Sequence, residues 1–131
     1  MLGDERPGSV LAFSVFTHMF EHDVVHYLDE IAGLMTEGSK LIFTAFCHDR
    51  DVLAQIVEGK ALYSMGHVLS GTCRTERPDN PLFAISYDRH WLERQLTERG
   101  LVFEFHRGAW TGLGGKMGQD WFVARPAGPG R

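Results

Sequence analysis

Val10-Leu11-Ala12-Phe13-Ser14-Val15-Phe16, followed by Thr17-His18, is a short and nearly all-apolar run bounded by Gly8-Ser9 on one side and polar His18 on the other. That pattern reads as a parallel strand buried on both faces. Just downstream, Val24, Leu28, Ile31 and Met35 recur at helical spacing while Asp29 and Glu30 fall elsewhere on the wheel, which predicts a helix over residues 23–35. Gly38 follows in the position of a helix stop. Residues 41–46 (LIFTAF) form a second buried-strand candidate. Strand, helix and strand in this order make a βαβ unit, so the two strands are expected to be parallel with a right-handed crossover.

The pattern continues outward from this unit. Residues 49–58 predict a helix with Val52, Leu53 and Ile56 on its apolar side. Residues 59–85 are poorly periodic and contain Gly66, Gly71, Pro78 and Pro81, which predicts a long loop of functional rather than idle character. A helix over residues 88–99 has Ser86 or Asp88 to cap it, turns Trp91, Leu92 and Leu96 inward and ends at Gly100. Residues 101–106 read as a strand. Residues 108–118 hold five glycines and read as a loop or hairpin connection, and residues 120–124 (DWFVA) read as the last strand.

At 131 residues the chain fits one α/β domain, spanning residues 10–125. Residues 1–9 are expected to be a flexible N-terminus without an apolar signal segment, and the turn-rich residues 126–131 a disordered tail. A net charge of -4 argues against a nucleic-acid backbone or an anionic membrane as the main partner, because both attract basic surfaces. No apolar run is long enough to span a bilayer. Cys47 and Cys73 form no CxxC and no zinc-type spacing, so they read as reduced thiols of a cytoplasmic protein.

Five phrases in order carry a family resemblance: Ser14-Val15-Phe16-Thr17-His18, Tyr27-Leu28-Asp29-Glu30-Ile31, Glu37-Gly38-Ser39-Lys40-Leu41, Gly108-Ala109-Trp110-Thr111-Gly112 and Gln119-Asp120. Together they resemble the C-terminal half of a class I S-adenosylmethionine (SAM)-dependent methyltransferase. The resemblance implies a partial Rossmann-like sheet in the family's strand order 4-5-7-6, with the last strand antiparallel and helices on its flanks. It implies SAM as cofactor and a small-molecule methyl acceptor. The Gly-rich turn that approaches SAM in the family, and the acidic residue that holds its ribose, have no counterpart before Val10. Gly112 to Gly118 opens no strand-to-helix turn and is given no cofactor role. The chain therefore reads as a truncated form, impaired by itself.

Ligands of doubly wound sheets bind beyond the carboxyl ends of the parallel strands. This places Ser14, Phe16 and Thr17 as cofactor-contact candidates and His18 as a candidate general base, whose ordinary pKa of about 6.5 suits proton removal near neutrality. His48 and Asp49 sit at the same rim, and Tyr63 and His67, with Arg74 and Arg77, are candidate acceptor contacts in the long segment. The bland alternative makes Ser14 and Phe16 core strand residues, His18 a helix start and the long segment a mobile surface loop. His18-Met19-Phe20-Glu21-His22 also spells HxxEH, the inverted zinc-protease pattern. The predicted helix start at Asp23 puts His18 on a turn, away from His22, which argues against a shared metal.

Three functions compete: a methyltransferase fragment, a non-catalytic interaction module that keeps the fold without SAM, and a zinc hydrolase. An apolar strand left as a bare sheet edge invites pairing. The edge at residues 10–16 is therefore expected to be covered by a second copy, as in a homodimer, by another partner chain, or by a rearranged N-terminus. Size exclusion should then show a species larger than the monomer, with the amides of residues 10–16 protected from exchange. A well-behaved monomer with rapid exchange across that stretch would overturn the expectation.

Overall fold

The structure, a computed structural model, describes residues 8–128, and residues 1–7 and 129–131 lie outside the described residues. Its frame is one mixed sheet with helices on both faces. The strands in chain order are β1 (Ser9–Ala12), β2 (Lys40–His48), β3 (His67–Ser70), β4 (Cys73–Thr75), β5 (Ile85–Asp88), β6 (Leu101–His106) and β7 (Asp120–Pro126). The helices are α1 (Glu21–Leu34), α2 (Arg50–Val57) and α3 (Arg89–Thr97). The expected β1-β2-β7-β6 order is present: β1 runs parallel to β2, and β7 lies antiparallel between β2 and β6.

β2 is the central strand, and its alternation serves two cores. Leu41, Phe43, Ala45 and Cys47 enter one cluster with Val24 and Leu28 of α1 and Leu92 and Leu96 of α3. Phe46 faces the other way, against Val52 of α2, Met65, Ala84 and Trp110. A strand covered on both faces must be apolar throughout, which is why residues 41–46 carry no alternation.

The apolar run around Val10 departs from expectation. The strand stops at Ala12, and Leu11 and Phe13 are 59% and 52% exposed rather than buried. Ser14 takes a left-handed backbone (φ 58°), and its N–H leaves the ladder to donate to Thr44 Oγ1 at 2.7 Å. A short 3-10 turn, Phe16–His18, follows and drops the Phe16 ring into the main core, 4.7 Å from Phe43 and edge-on to Tyr27 at 5.4 Å. The Phe16 site explains the break: the ring gains more by entering the core under α1 than a straight strand would allow it.

Shortening β1 leaves the far half of that β2 edge open, and β5 fills it in parallel, pairing Ser86–Asp88 with Phe46–His48. β5 lies between the segment expected to be a long loop, residues 59–85, and the helix expected from Asp88. The loop segment instead forms the β3–β4 hairpin and a 3-10 turn at Pro81–Phe83, and it leads into β5 at Ile85. Its strands are only 3 or 4 residues long, too short to show a period in the sequence. Helix positions were more legible. Asp88 caps α3 by accepting the Trp91 N–H at 3.0 Å, and Asp49 caps α2 through Val52. α1 ends at Leu34 with Met35 extended, so Gly38 lies in the following turn rather than stopping the helix.

The return from β6 to β7 is pinned by Asp120, which is fully buried. Its Oδ2 accepts the Cys47 N–H at 2.7 Å and the Trp110 indole N–H at 2.9 Å, and its Oδ1 accepts the Gly108 N–H at 2.6 Å. Only glycine permits this at residue 108, because a Cβ there would lie 2.3 Å from the Gln119 carbonyl carbon. Asp120→Ala strands three buried N–H groups and should cost about 3–5 kcal/mol in urea unfolding, since each unpartnered buried donor costs about 1–3 kcal/mol. A loss below about 0.5 kcal/mol, ordinary for an unimportant site, would show that the carboxylate does not hold the loop.

Candidate functional site

The parallel strands β1, β2 and β5 end at Ala12, His48 and Asp88. Near the end where β2 finishes and β7 begins, two cavities adjoin on the α2 side of the sheet. The first, of about 220 Å³, is lined by Phe13, Ser14, Thr44, Met117, Gly118 and Gln119. The second, of about 180 Å³, is lined by Phe46, Leu62, Tyr63, Trp110, Gly118 and Gln119. Gln119 is the polar side chain common to both. Its Nε2 donates to Ser14 Oγ at 2.9 Å, and its Oε1 is buried with no hydrogen-bond partner among the described residues. The glycine-rich return loop supplies one wall. Gly115 there has φ 114°, and a Cβ on it would sit 2.3 Å from the Arg107 carbonyl oxygen.

The sequence candidates divide. Ser14 lines the first cavity and Tyr63 the second. Phe16 is fully buried in the core, and Thr17 beside it is buried with its Oγ1 unpartnered among the described residues. His18 lines neither cavity: its exposed ring binds the Leu82 carbonyl through Nδ1 at 2.8 Å, and since a carbonyl only accepts, Nδ1 carries the hydrogen. His67 is exposed on β3. His48 is buried, with Nδ1 at 2.8 Å from Ser86 Oγ. Asp49 is occupied three times over, by the Val52 N–H, by Arg107 at 3.0 Å and by Arg89 at 3.4 Å. Burial works to raise the Asp49 pKa, but the Val52 N–H and the two guanidinium groups outweigh it and hold the pKa below its ordinary value. Arg89 in turn pairs with Glu93 at 3.0 Å and lies 4.0 Å over the Phe105 ring.

The HxxEH residues do separate work. Glu21 accepts from Ser70 Oγ at 2.6 Å and from Thr72 Oγ1, tying the start of α1 to the β3–β4 turn. His22 is exposed beside Asp23. Among the described residues no group of three or more His, Cys, Asp or Glu is placed to hold a metal ion. Sequence reasoning missed Thr44, Phe46, Leu62, Trp110 and Gln119 as cavity walls. Trp110 and Gln119 do stand in the phrases that carried the resemblance, which was their one visible signal.

No family model matches the chain. Among solved structures it is similar to the glycopeptide N-methyltransferase MtfA, with TM-score 0.58 and 14% identity over 94% of this chain. The complex of that enzyme with sinefungin gives TM-score 0.55 at 16% identity, and its complex with SAM gives 0.56 at 15%. The chain spans 56% of the length of the first of these. At such identities the likeness establishes a methyltransferase-like fold. Among the described residues no helix is long and apolar enough to cross a membrane.

Burial first, then the nearby Arg74 charge, push the His48 pKa down from 6.5 to about 4. Between those values the unfolded chain binds a proton that the folded chain refuses, so stability should fall as pH drops through the window and level off below it. The loss is on the order of 3 kcal/mol. His48→Asn should remove most of this slope when urea midpoints are compared at pH 7 and pH 4.5. Equal slopes in the two proteins would mean that His48 is not held neutral.

Proposed function

We propose that this chain forms the acceptor side of a SAM-dependent methyltransferase acting on a small molecule. The observation that carries this is the pair of cavities meeting at Gln119, at the carboxyl end of the parallel strands, in a methyltransferase-like fold. Their walls are neutral: hydroxyls of Ser14 and Thr44, the Gln119 amide, and aromatic and aliphatic side chains. Such a wall orients an acceptor and excludes water, which is much of what methyl transfer asks of a protein.

The described residues do not fit the nucleoside part of SAM. None of the junctions after β1, β2 and β5 contains a glycine. The carboxylates at the strand ends, Asp49 and Asp88, are both committed as helix caps. Ser14, Thr44 and Gln119 are thus assigned to the acceptor, and the nucleoside holder belongs to residues other than these.

A second reading is favoured by the β1 edge, where Leu11 and Phe13 are exposed and no strand pairs on the outer side among the described residues. There the chain is an interaction module that joins a second copy or another chain through β1. Isothermal titration with SAM and S-adenosylhomocysteine separates the two. Saturable binding tighter than about 1 mM, equivalent to ~4 kcal/mol, supports methyl transfer. No binding removes methyl transfer by this chain alone and favours the module.

A further inference from the structure

The connection from α2 to β3 is held in two different ways. Its first half is tied down by backbone: the Lys60 N–H donates to the Gln55 carbonyl at 2.9 Å, and the Leu62 N–H to the Trp110 carbonyl at 2.7 Å. Its second half, residues 63–66, makes no backbone–backbone hydrogen bond among the described residues. The tether there is one side chain from beyond β4. Glu76 Oε1 accepts the Ser64 N–H at 2.9 Å, the Met65 N–H at 2.8 Å and the Ser64 hydroxyl at 3.1 Å. A carboxylate oxygen offers two lone pairs, so these three donors have to share it. Ser64 is exposed, and water competes with it for the same oxygen.

Two forces oppose each other in this short piece. The Met65 side chain is fully buried with Phe46, Val52, Ala84 and Trp110, and the Tyr63 ring stands edge-on 5.4 Å from Phe46. That packing draws the segment down. The Met65 backbone, however, is left-handed at φ 43°, a region that side chains other than glycine occupy rarely and at a cost. Such a conformation persists only while its surroundings enforce it. Leu62, fixed to Trp110, gives one end a firm root, and Gly66, where an added Cβ would meet nothing nearer than 3.6 Å, gives the other a free pivot. We propose that residues 63–66 are a gate over the second cavity, latched shut by Glu76. With the gate shut, Phe46 is 6% and Trp110 1% exposed, so their ring faces are closed to solvent. Lifting it takes Tyr63 out of the cavity wall and Met65 off the rings beneath, which opens the hollow into a deeper pocket. The gate goes beyond the methyl-transfer reading and stands or falls without it.

The test asks whether the buried Met65 site reaches solvent without the rest of the chain unfolding. Met65→Cys places a thiol there, and iodoacetamide is the probe. Cys47 and Cys73, both buried in the main core, report global unfolding in the same sample. The introduced thiol should label about tenfold or more faster than those two, at a rate that low urea barely changes, because a local opening exposes little surface. Labelling of Cys47 and Cys73 should rise steeply with urea. Adding Glu76→Ala should speed labelling at position 65 by about tenfold or more, the order expected for lost bonds to a charged group. Glu76→Gln, which keeps an acceptor oxygen, should speed it less. Met65→Cys also trims the packing that holds the gate down, so amide exchange of the unsubstituted chain gives a second reading. There the Ser64 and Met65 amides should exchange almost independently of urea, while the slowest amides of α1 and α3 follow it. If all three thiols label together with one urea dependence, or if the Ser64 and Met65 amides follow urea as the helices do, residues 63–66 are a fixed wall and the proposal is overturned. Labelling at position 65 that ignores Glu76→Ala would overturn it too, because the carboxylate would then latch nothing.

Discussion

The buried carboxylate of Asp120 is the constraint from which the rest of this architecture hangs. Its three donors come from separate places: Cys47 in the middle of the sheet, Gly108 after β6 and the Trp110 side chain in the return loop. Burial raises the pKa of this carboxyl group, while the Gly108, Trp110 and Cys47 N–H groups stabilise its charged form. A buried charge is tolerable only with such a full set of partners. Because the partners are mostly backbone, satisfying the charge also fixes the path of the chain. It brings Trp110 down against Phe46 and sets Gln119, the residue before Asp120, between the two cavities.

The second organising fact is the divided edge of β2. One edge pairs continuously with β7 over Leu41–Ala45, and the other is shared end to end by β1 and β5. β1 ends early because Phe16 turns into the core, and the Ser14 N–H then finds Thr44 Oγ1 rather than a strand partner. This break is also what opens the first cavity, since Phe13, Ser14 and Thr44 are its wall on that side. The Tyr87 hydroxyl donates to the Phe16 and Met19 carbonyls, so β5 braces the turn that made room for it.

Charge is distributed with the same economy. Asp49 pairs with Arg89 and Arg107, and Arg89 with Glu93, beside the Phe105 ring, and His48 is kept neutral against Ser86. The titratable groups at the strand ends are thus committed to holding elements in place. The cavities are left to neutral and aromatic side chains, which favours positioning of a ligand over proton transfer as their role.

The sequence by itself determined the α/β class, the β1-α1-β2 unit, the positions of the three helices and the antiparallel pair at the end. Those follow from local physics: the helical spacing of Val24, Leu28 and Ile31, the Asp88 cap, and the unbroken apolar run of β2. The site was less legible. Ser14 and Tyr63, named from the sequence, line the two cavities, because a polar residue at a strand end and an aromatic in a long segment are visible one at a time. His18, His48 and Asp49 looked available in sequence, but their partners, Leu82, Ser86, Arg89 and Arg107, lie 38 or more residues away. Only the tertiary structure could show that those groups were already engaged. It alone decided that Phe16 turns inward, that β5 takes the vacated edge, and that Phe46, Tyr63, Trp110 and Gln119 meet around one space. Each of those outcomes depends on contacts between distant segments, to which local periodicity is blind.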